Sequence, residues 1–369
     1  MRSFLTSLCT FITIINAYSQ NNHHRLIIGT YTNSCASNGI YVYDFDSQTA
    51  NSKQLASTDK VINPSYLAVD KSNELVYSVN ENGPESKVST FKYDSNSGNM
   101  KIINQQNSIG ADPCYILNDK INVLVANYSG GSISVFKKQQ DGSLSEAKQV
   151  VKHYGKGINL KRQKSPHLHM VQFSPDRQFV FANDLGVDKL YIYNYNPNSE
   201  DEILTIKDSV SVTPGSGPRH LTFSPNGEFV YLLQELNGGL TVFSYNSGNL
   251  KKIQETSLVP PAFKGETSAA DIHISSDGNF LYASNRGTAN DITCFKIQKD
   301  GTLLFLSRTK TMGKGPRNFT IDPSGNYLLV ANQYTNEVVI FIRNNFTGAL
   351  ADSGKRISLC SPVCLVFTP

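Results

Sequence analysis

The stretch GPRHLTFSPNGEFVYLLQELNGGLTVFSYNSGNL, residues 217–250, decides the fold. Its apolar run Leu221-Thr222-Phe223 reaches a turn at Ser224-Pro225-Asn226-Gly227 and resumes as Phe229-Val230-Tyr231-Leu232. A third run then alternates through Leu240-Thr241-Val242-Phe243-Ser244-Tyr245. Asn-Gly between apolar runs is a strong hairpin signal, and strict alternation marks a half-buried strand. The stretch therefore predicts three consecutive antiparallel strands.

Outward from it, the same grammar repeats. A Pro ahead of an apolar strand recurs as Asn63-Pro64-Ser65-Tyr66-Leu67, Asp112-Pro113-Cys114-Tyr115-Ile116, Gly315-Pro316-Arg317-Asn318-Phe319 and Ser361-Pro362-Val363-Cys364-Leu365. From Pro64 through Pro218 to Pro362 these prolines sit 49, 105, 98 and 46 residues apart, or one, two, two and one periods of about 50. Pro166-His167-Leu168-His169-Met170 and Ala269-Ala270-Asp271-Ile272-His273 fill the two skipped units. A fourth, weaker strand follows a Gly-containing turn, as in Asp300-Gly301-Thr302-Leu303. Four antiparallel strands per period describe a propeller blade.

The termini close the ring. Leu26-Ile27-Ile28-Gly29-Thr30-Tyr31 reads as a second strand with no first strand before it, and Val363-Cys364-Leu365-Val366-Phe367 as a first strand with nothing after it. Together they complete one blade, so six internal units give seven. The expected fold is an all-β, seven-bladed β-propeller with four antiparallel strands per blade. Separate β-sandwich domains would leave both terminal fragments orphaned.

Residues 1–19 read as a secretory signal peptide: Arg2, the apolar run Phe4 to Ile15, then Ala17-Tyr18-Ser19 before the cleavage bond. The apolar run is shorter than the roughly 20 residues of a membrane span, so no span is expected in the mature chain. Residues 20–369 are expected to form the single propeller domain, exported to a periplasmic or extracellular space. Their 350 residues divide into seven units of 50.

The mature span keeps Cys35, Cys114, Cys294, Cys360 and Cys364, so at least one thiol stays free. Cys360 and Cys364, read within one strand, would lie about 13 Å apart and cannot pair. The cysteines are therefore expected to be mostly small buried side chains rather than staples. Lys+Arg exceed Asp+Glu by 34 − 30 = 4 without long runs, which argues against a nucleic-acid partner. With 39% hydrophobic residues the chain is not disordered. Gly130-Gly131 and Gly238-Gly239 open no helix and are not phosphate loops. No Gly-x-Ser-x-Gly elbow occurs to support a serine triad.

In a propeller the first strand of each blade lines the channel. Aligned units place Ser65, Cys114, His169, Arg219, Ala270, Arg317 and Val363 at one equivalent position. The second strands end at Asn80-Glu81, Asn127-Tyr128, Asp184, Gln234-Glu235, Asn285-Arg286 and Asn332-Gln333, returning to the mouth where the first strands begin. Arg219, Arg286, Arg317, His169, His220, Glu235, Asp271, Asn127, Asn285, Asn332 and Gln333 are thus expected on one face. An arginine surplus there suits a phosphate or carboxylate.

Pro-His-Leu-His169, Gly-Pro-Arg219-His220, Gln-Glu235-Leu, Ala-Ala-Asp271-Ile-His273, Ser-Asn-Arg286 and Gly-Pro-Arg317 resemble the seven-bladed lactonase family, from about Leu26 to the end of the chain. That family includes propeller-type 6-phosphogluconolactonases and carboxy-cis,cis-muconate cyclases. The resemblance implies a metal-independent, cofactor-free lactone hydrolase or lactone-forming cyclase acting on a small anionic lactone. It makes His169, Glu235, Arg219 and Arg286 the catalytic set, with His169 or Glu235 as general base. Arg317, His220, Asp271, Asn127, Asn285 and Gln333 are the expected substrate contacts. Structural alternatives stand beside these: Arg317 bridging two blades, His167 as support, and Asp271 with His273 as a satisfied pair. His167 and His169 are spaced like a metal pair but lack an obvious third ligand. A non-catalytic exported propeller that binds a ligand or protein is the rival function, since propellers also serve as platforms.

Overall fold

The computed structural model describes residues 22–368, and the expected leader, residues 1–19, lies outside the described residues. The described chain forms seven four-stranded antiparallel sheets in a closed ring. In six blades the strands follow chain order from the channel outward, as in Pro218–Phe223, Phe229–Gln234, Gly239–Asn246 and Asn249–Ser257. The closing blade runs Pro362–Phe367, His23–Thr30, Ile40–Asp46 and Ser52–Ser57. Leu26 pairs with Phe367 and Gly29 with Cys364, so the two chain ends lock the ring as the sequence predicts.

Repeated side-chain devices explain why each unit folds alike. In the hairpin after the innermost strand, the Ser224 hydroxyl accepts the Phe229 amide at 2.9 Å, and Ser174 and Ser275 do the same for Phe179 and Phe280 at 3.0 and 3.1 Å. A carboxylate replaces the hydroxyl at Asp70 and Asp322, which accept the Leu75 and Tyr327 amides at 3.0 and 2.7 Å. These local bonds satisfy backbone that the tight turn would leave unpaired. Neighbouring blades are tied by buried tyrosines: the hydroxyls of Tyr77, Tyr231 and Tyr282 donate to the carbonyls of Gly142, Gly301 and Gly348 at 2.9, 3.0 and 2.8 Å. Gly301 has φ of +81°, and a Cβ there would meet the Phe229 ring, so the blade contact requires glycine.

The cysteine expectation is corrected. Cys360 lies between strands Leu350–Ser358 and Pro362–Phe367 rather than within one, and it forms a disulfide with Cys35, Cα atoms 5.9 Å apart. Cys114, Cys294 and Cys364 remain as buried free thiols. The pairing escaped the sequence because its partners are 325 residues apart and meet only once the ring closes.

Candidate active site

The site rests on a backbone irregularity repeated around the ring. In the ladder between first and second strands, Pro113 pairs with Asn127 but Tyr115 with Ala126, so Cys114 is an extra residue. His169, Arg219 and Arg317 are extra in the same way, and Val363 in the closing blade. Such bulges turn a side chain out of the regular alternation. Here Ser65, Cys114, His169, Arg219, Arg317 and Val363 share one small cavity at the ring axis. The position singled out by alignment is therefore the bulge position.

The next level up the mouth holds the residues that follow the second strands: Tyr31, Glu81, Tyr128, Glu235, Arg286 and Gln333. Three guanidiniums converge on Glu235. Arg219 Nε and Arg286 Nη2 each reach Oε2 at 3.0 Å, and Arg162 Nη2 reaches Oε1 at 2.7 Å. Arg219 and Glu235 are 2% and 3% exposed, so these charges act in a poorly screened environment. Burial alone would raise the Glu235 carboxyl, but the guanidiniums of Arg286, Arg219 and Arg162 bring it down to about 2. Burial and the Arg286 charge lower Arg219 to about 10.

His169 differs. Burial, and then the positive charge of Arg219, hold its imidazole well below the usual histidine range, so it is neutral at neutral pH. Its Nδ1 lies 3.7 Å from the Cys114 thiol. Its Nε2 makes no hydrogen bond among the described residues. Tyr128 separates it from His167, whose ring stacks on the tyrosine at 4.4 Å while that of His169 meets it edge-on at 5.5 Å. His167 Nδ1 lies 3.0 Å from the Tyr128 carbonyl, a supporting role. Among the described residues no group of three His, Cys, Asp or Glu is placed to hold a metal ion.

Below Arg219 a relay descends the axis. Arg219 Nη1 donates to His220 Nε2 at 3.3 Å, which leaves Nδ1–H to donate to Asp271 Oδ1 at 2.8 Å. His273 Nε2 donates to Asp271 Oδ2 at 2.9 Å. The amides of Ile272 and Phe319 and the side chain of Asn318 add further donors to Asp271. Despite burial, His273 and His220 hold the Asp271 carboxyl far below its ordinary range, while burial pushes His220 down to about 4. Asp271 is thus a buried hub, and His273 faces a separate cavity of about 1190 Å³ at the opposite mouth.

The expected residues therefore divide. Arg219, Arg286, Glu235 and His169 meet, with Arg317 and Gln333 on the adjoining side. His220 and Asp271 lie one layer deeper. Asn127 and Asn285 turn into their own blades: Asn127 Nδ2 donates to the Ser132 and Ser134 hydroxyls at 3.0 Å each, and Asn285 Oδ1 accepts the Ser268 amide at 3.0 Å. Asn332 likewise donates to the Thr311 carbonyl at 2.9 Å. Sequence reasoning missed Arg162, which lies in the insertion 153–167 outside any repeat. It also passed over Glu81 and Tyr31, although Asn80-Glu81 aligns with Gln234-Glu235 and Tyr31 stands at the same place in the closing blade.

Comparison with known proteins places this geometry. Residues 25–367 match the family model described as lactonase, 7-bladed beta-propeller. A Bacillus subtilis 6-phosphogluconolactonase is 36% identical over 92% of this chain and 97% of its own. A solved Bacteroides fragilis chain, described as a candidate 6-phosphogluconolactonase, is 41% identical with a TM-score of 0.91, covering 95% of this chain and 99% of that one. The solved periplasmic gluconolactonase of Pseudomonas aeruginosa is 35% identical with a TM-score of 0.89, covering 94% of this chain and 99% of that one.

Proposed function

The chain belongs to the seven-bladed β-propeller lactonase family, and from that premise we propose that it hydrolyses an anionic sugar-acid lactone, 6-phosphogluconolactone foremost, at the mouth where His169, Arg219, Glu235 and Arg286 meet. The observation that carries the reading is a neutral, buried imidazole sharing the small axial cavity with the guanidiniums of Arg219 and Arg317. The cavity is of a size for a single water.

His169 is the general base and Glu235 is not. Both Glu235 oxygens are taken up by guanidiniums, whereas His169 is neutral and its Nε2 makes no hydrogen bond among the described residues. Water attacks the lactone carbonyl carbon as His169 takes its proton. Arg219 and Arg286 stabilise the tetrahedral oxyanion. The intermediate collapses by breaking the ring C–O bond, and the imidazolium returns the proton to the departing alkoxide, leaving the open hydroxy acid. Glu235 fixes the guanidiniums in place, and His220 with Asp271 anchors Arg219 from below. The chemistry calls on no metal or cofactor.

The disulfide supports export, since such bonds persist in oxidising compartments. With the apolar run Phe4 to Ile15 it favours a leader over residues 1–19 and a periplasmic or extracellular enzyme comprising residues 20–369. Among the described residues no helix is long and apolar enough to cross a membrane. The test is His169→Gln, expected to lower kcat by about 10²–10⁴-fold on 6-phosphogluconolactone after subtraction of spontaneous hydrolysis. Full activity in that variant overturns the assignment.

A further inference from the structure

One arginine at the mouth is left over. Arg162, Arg219 and Arg286 all pair with Glu235, but the Arg317 guanidinium makes no hydrogen bond or ion pair among the described residues. Its contact is the Tyr31 ring, 5.3 Å from the guanidinium carbon. The Glu81 charge acts on Arg317, but its oxygens are given to other donors, accepting from the Tyr31 hydroxyl at 2.9 Å and from Ser65. A partly buried guanidinium whose N–H donors are all unbonded is costly unless something completes it.

A second orphan lies beside it. Gln333 Oε1 is buried and has no hydrogen-bond donor. Arg317 and Gln333 line the same polar pocket of about 510 Å³, which Tyr31, Asn33, Glu81 and Asp112 also line. Arg317 also lines the axial cavity with His169. A lone anion would satisfy Arg317 but not the Gln333 oxygen, which requires a donor. A lone polyol would satisfy Gln333 but leave the charge. The complementary ligand carries both an oxyanion and a hydroxyl.

We propose that Arg317 and Gln333 form a specificity subsite that takes the anionic, hydroxylated tail of the substrate while its carbonyl lies beside His169. The inference rests on the hydrolase reading and deepens it. Arg219 and Arg286 then serve the carbonyl, and Arg317 serves the tail. The oxyanion is a phosphate or a carboxylate, since a guanidinium fork fits both.

The experiment compares the full chain with Arg317→Gln and Arg317→Lys on 6-phosphogluconolactone, a carboxylate-ended sugar lactone and uncharged gluconolactone. Arg317→Gln should raise KM for a charged lactone by roughly 10- to 150-fold, the value of a charged hydrogen bond, with a smaller change in kcat. That loss should exceed the loss on uncharged gluconolactone at least tenfold, and Arg317→Lys should recover part of it. The charged lactone that suffers more identifies the oxyanion. Equal losses on charged and uncharged lactones, or none, overturn the subsite. Should the wild-type chain hydrolyse no lactone, the hydrolase reading fails. Calorimetry with 6-phosphogluconate then decides the subsite: tenfold weaker binding in Arg317→Gln supports it, and unchanged or absent binding overturns it.

Discussion

The two sides of the channel mouth are built from the same residue types and reach opposite electrostatic ends. On one side Glu235 is surrounded by Arg162, Arg219 and Arg286, every carboxylate oxygen is engaged, and its carboxyl is held at about 2. On the other, Glu81 is tied to Tyr31 and Ser65, burial raises its carboxyl above the ordinary range against the pull of the Arg317 charge, and the Arg317 guanidinium makes no hydrogen bond among the described residues. On the proposed reading the first half is scaffold and the second is receptor. A saturated cluster orients charge before substrate arrives, the condition for stabilising a developing oxyanion. An unsaturated one keeps its hydrogen bonds for a ligand.

The largest difference between the two sides is expected in stability. Glu235→Gln leaves three guanidiniums without their counter-charge and should cost about 3–5 kcal/mol in denaturant unfolding. Arg317→Gln removes a cation that makes no hydrogen bond or ion pair among the described residues but rests on the Tyr31 ring and near the Glu81 charge, and should cost no more than about 1 kcal/mol. Equal destabilisation by the two variants would erase the distinction.

Acid unfolding sharpens it. A carboxyl whose folded pKa is depressed contributes stability in full above its unfolded value, and loses it as pH falls through the folded one. For Glu235 that window runs from about 4.5 down to about 2. Glu81 is shifted upward, so its ionisation opposes folding and its contribution fades as pH rises through the raised value. Stability measured against pH should therefore show an acid limb below 4.5 that Glu235→Gln flattens and Glu81→Gln does not.

The disulfide lies on the Arg317 side, because Cys35 is on the loop that also carries Tyr31 and Asn33. Cys360→Ser, or thiol reduction of the wild type, should lower stability by about 2–4 kcal/mol and release the closing blade first, as read by hydrogen exchange of strand His23–Thr30. No change on reduction would remove this anchor from the account.

The smallest effect is expected where the sequence pointed to a substrate contact and the structure turned the side chain into its blade. Asn127→Ala should cost about 1 kcal/mol of stability and leave KM unchanged. A raised KM without loss of stability would move Asn127 back to the mouth.

Much of this was legible in the chain. The period of about 50, the Ser-Pro-Asn-Gly hairpin and the split closing blade specify the ring because each is a local signal repeated in register. His169, Arg219 and Arg317 were legible because the bulge occupies the same place in five of the seven units, so alignment finds it without knowing that it is a bulge. Three things were not. Arg162 sits in an insertion with no repeat to align against. The Cys35–Cys360 bond depends on ring closure rather than spacing. The division of the strand-end residues, with Asn127 and Asn285 turned inward while Glu235 and Arg286 face the mouth, follows from one residue of offset at the strand terminus. Composition cannot resolve that.

The central claim is that the axial imidazole activates water against a lactone carbonyl. It is tested most directly by timing hydrolysis of freshly prepared 6-phosphogluconolactone by the full chain and by His169→Gln, each corrected for the spontaneous reaction. Wild-type turnover well above the buffer rate and a loss of about 10²–10⁴-fold in the variant are expected. A wild-type chain no faster than buffer, or a variant as fast as the wild type, would contradict it.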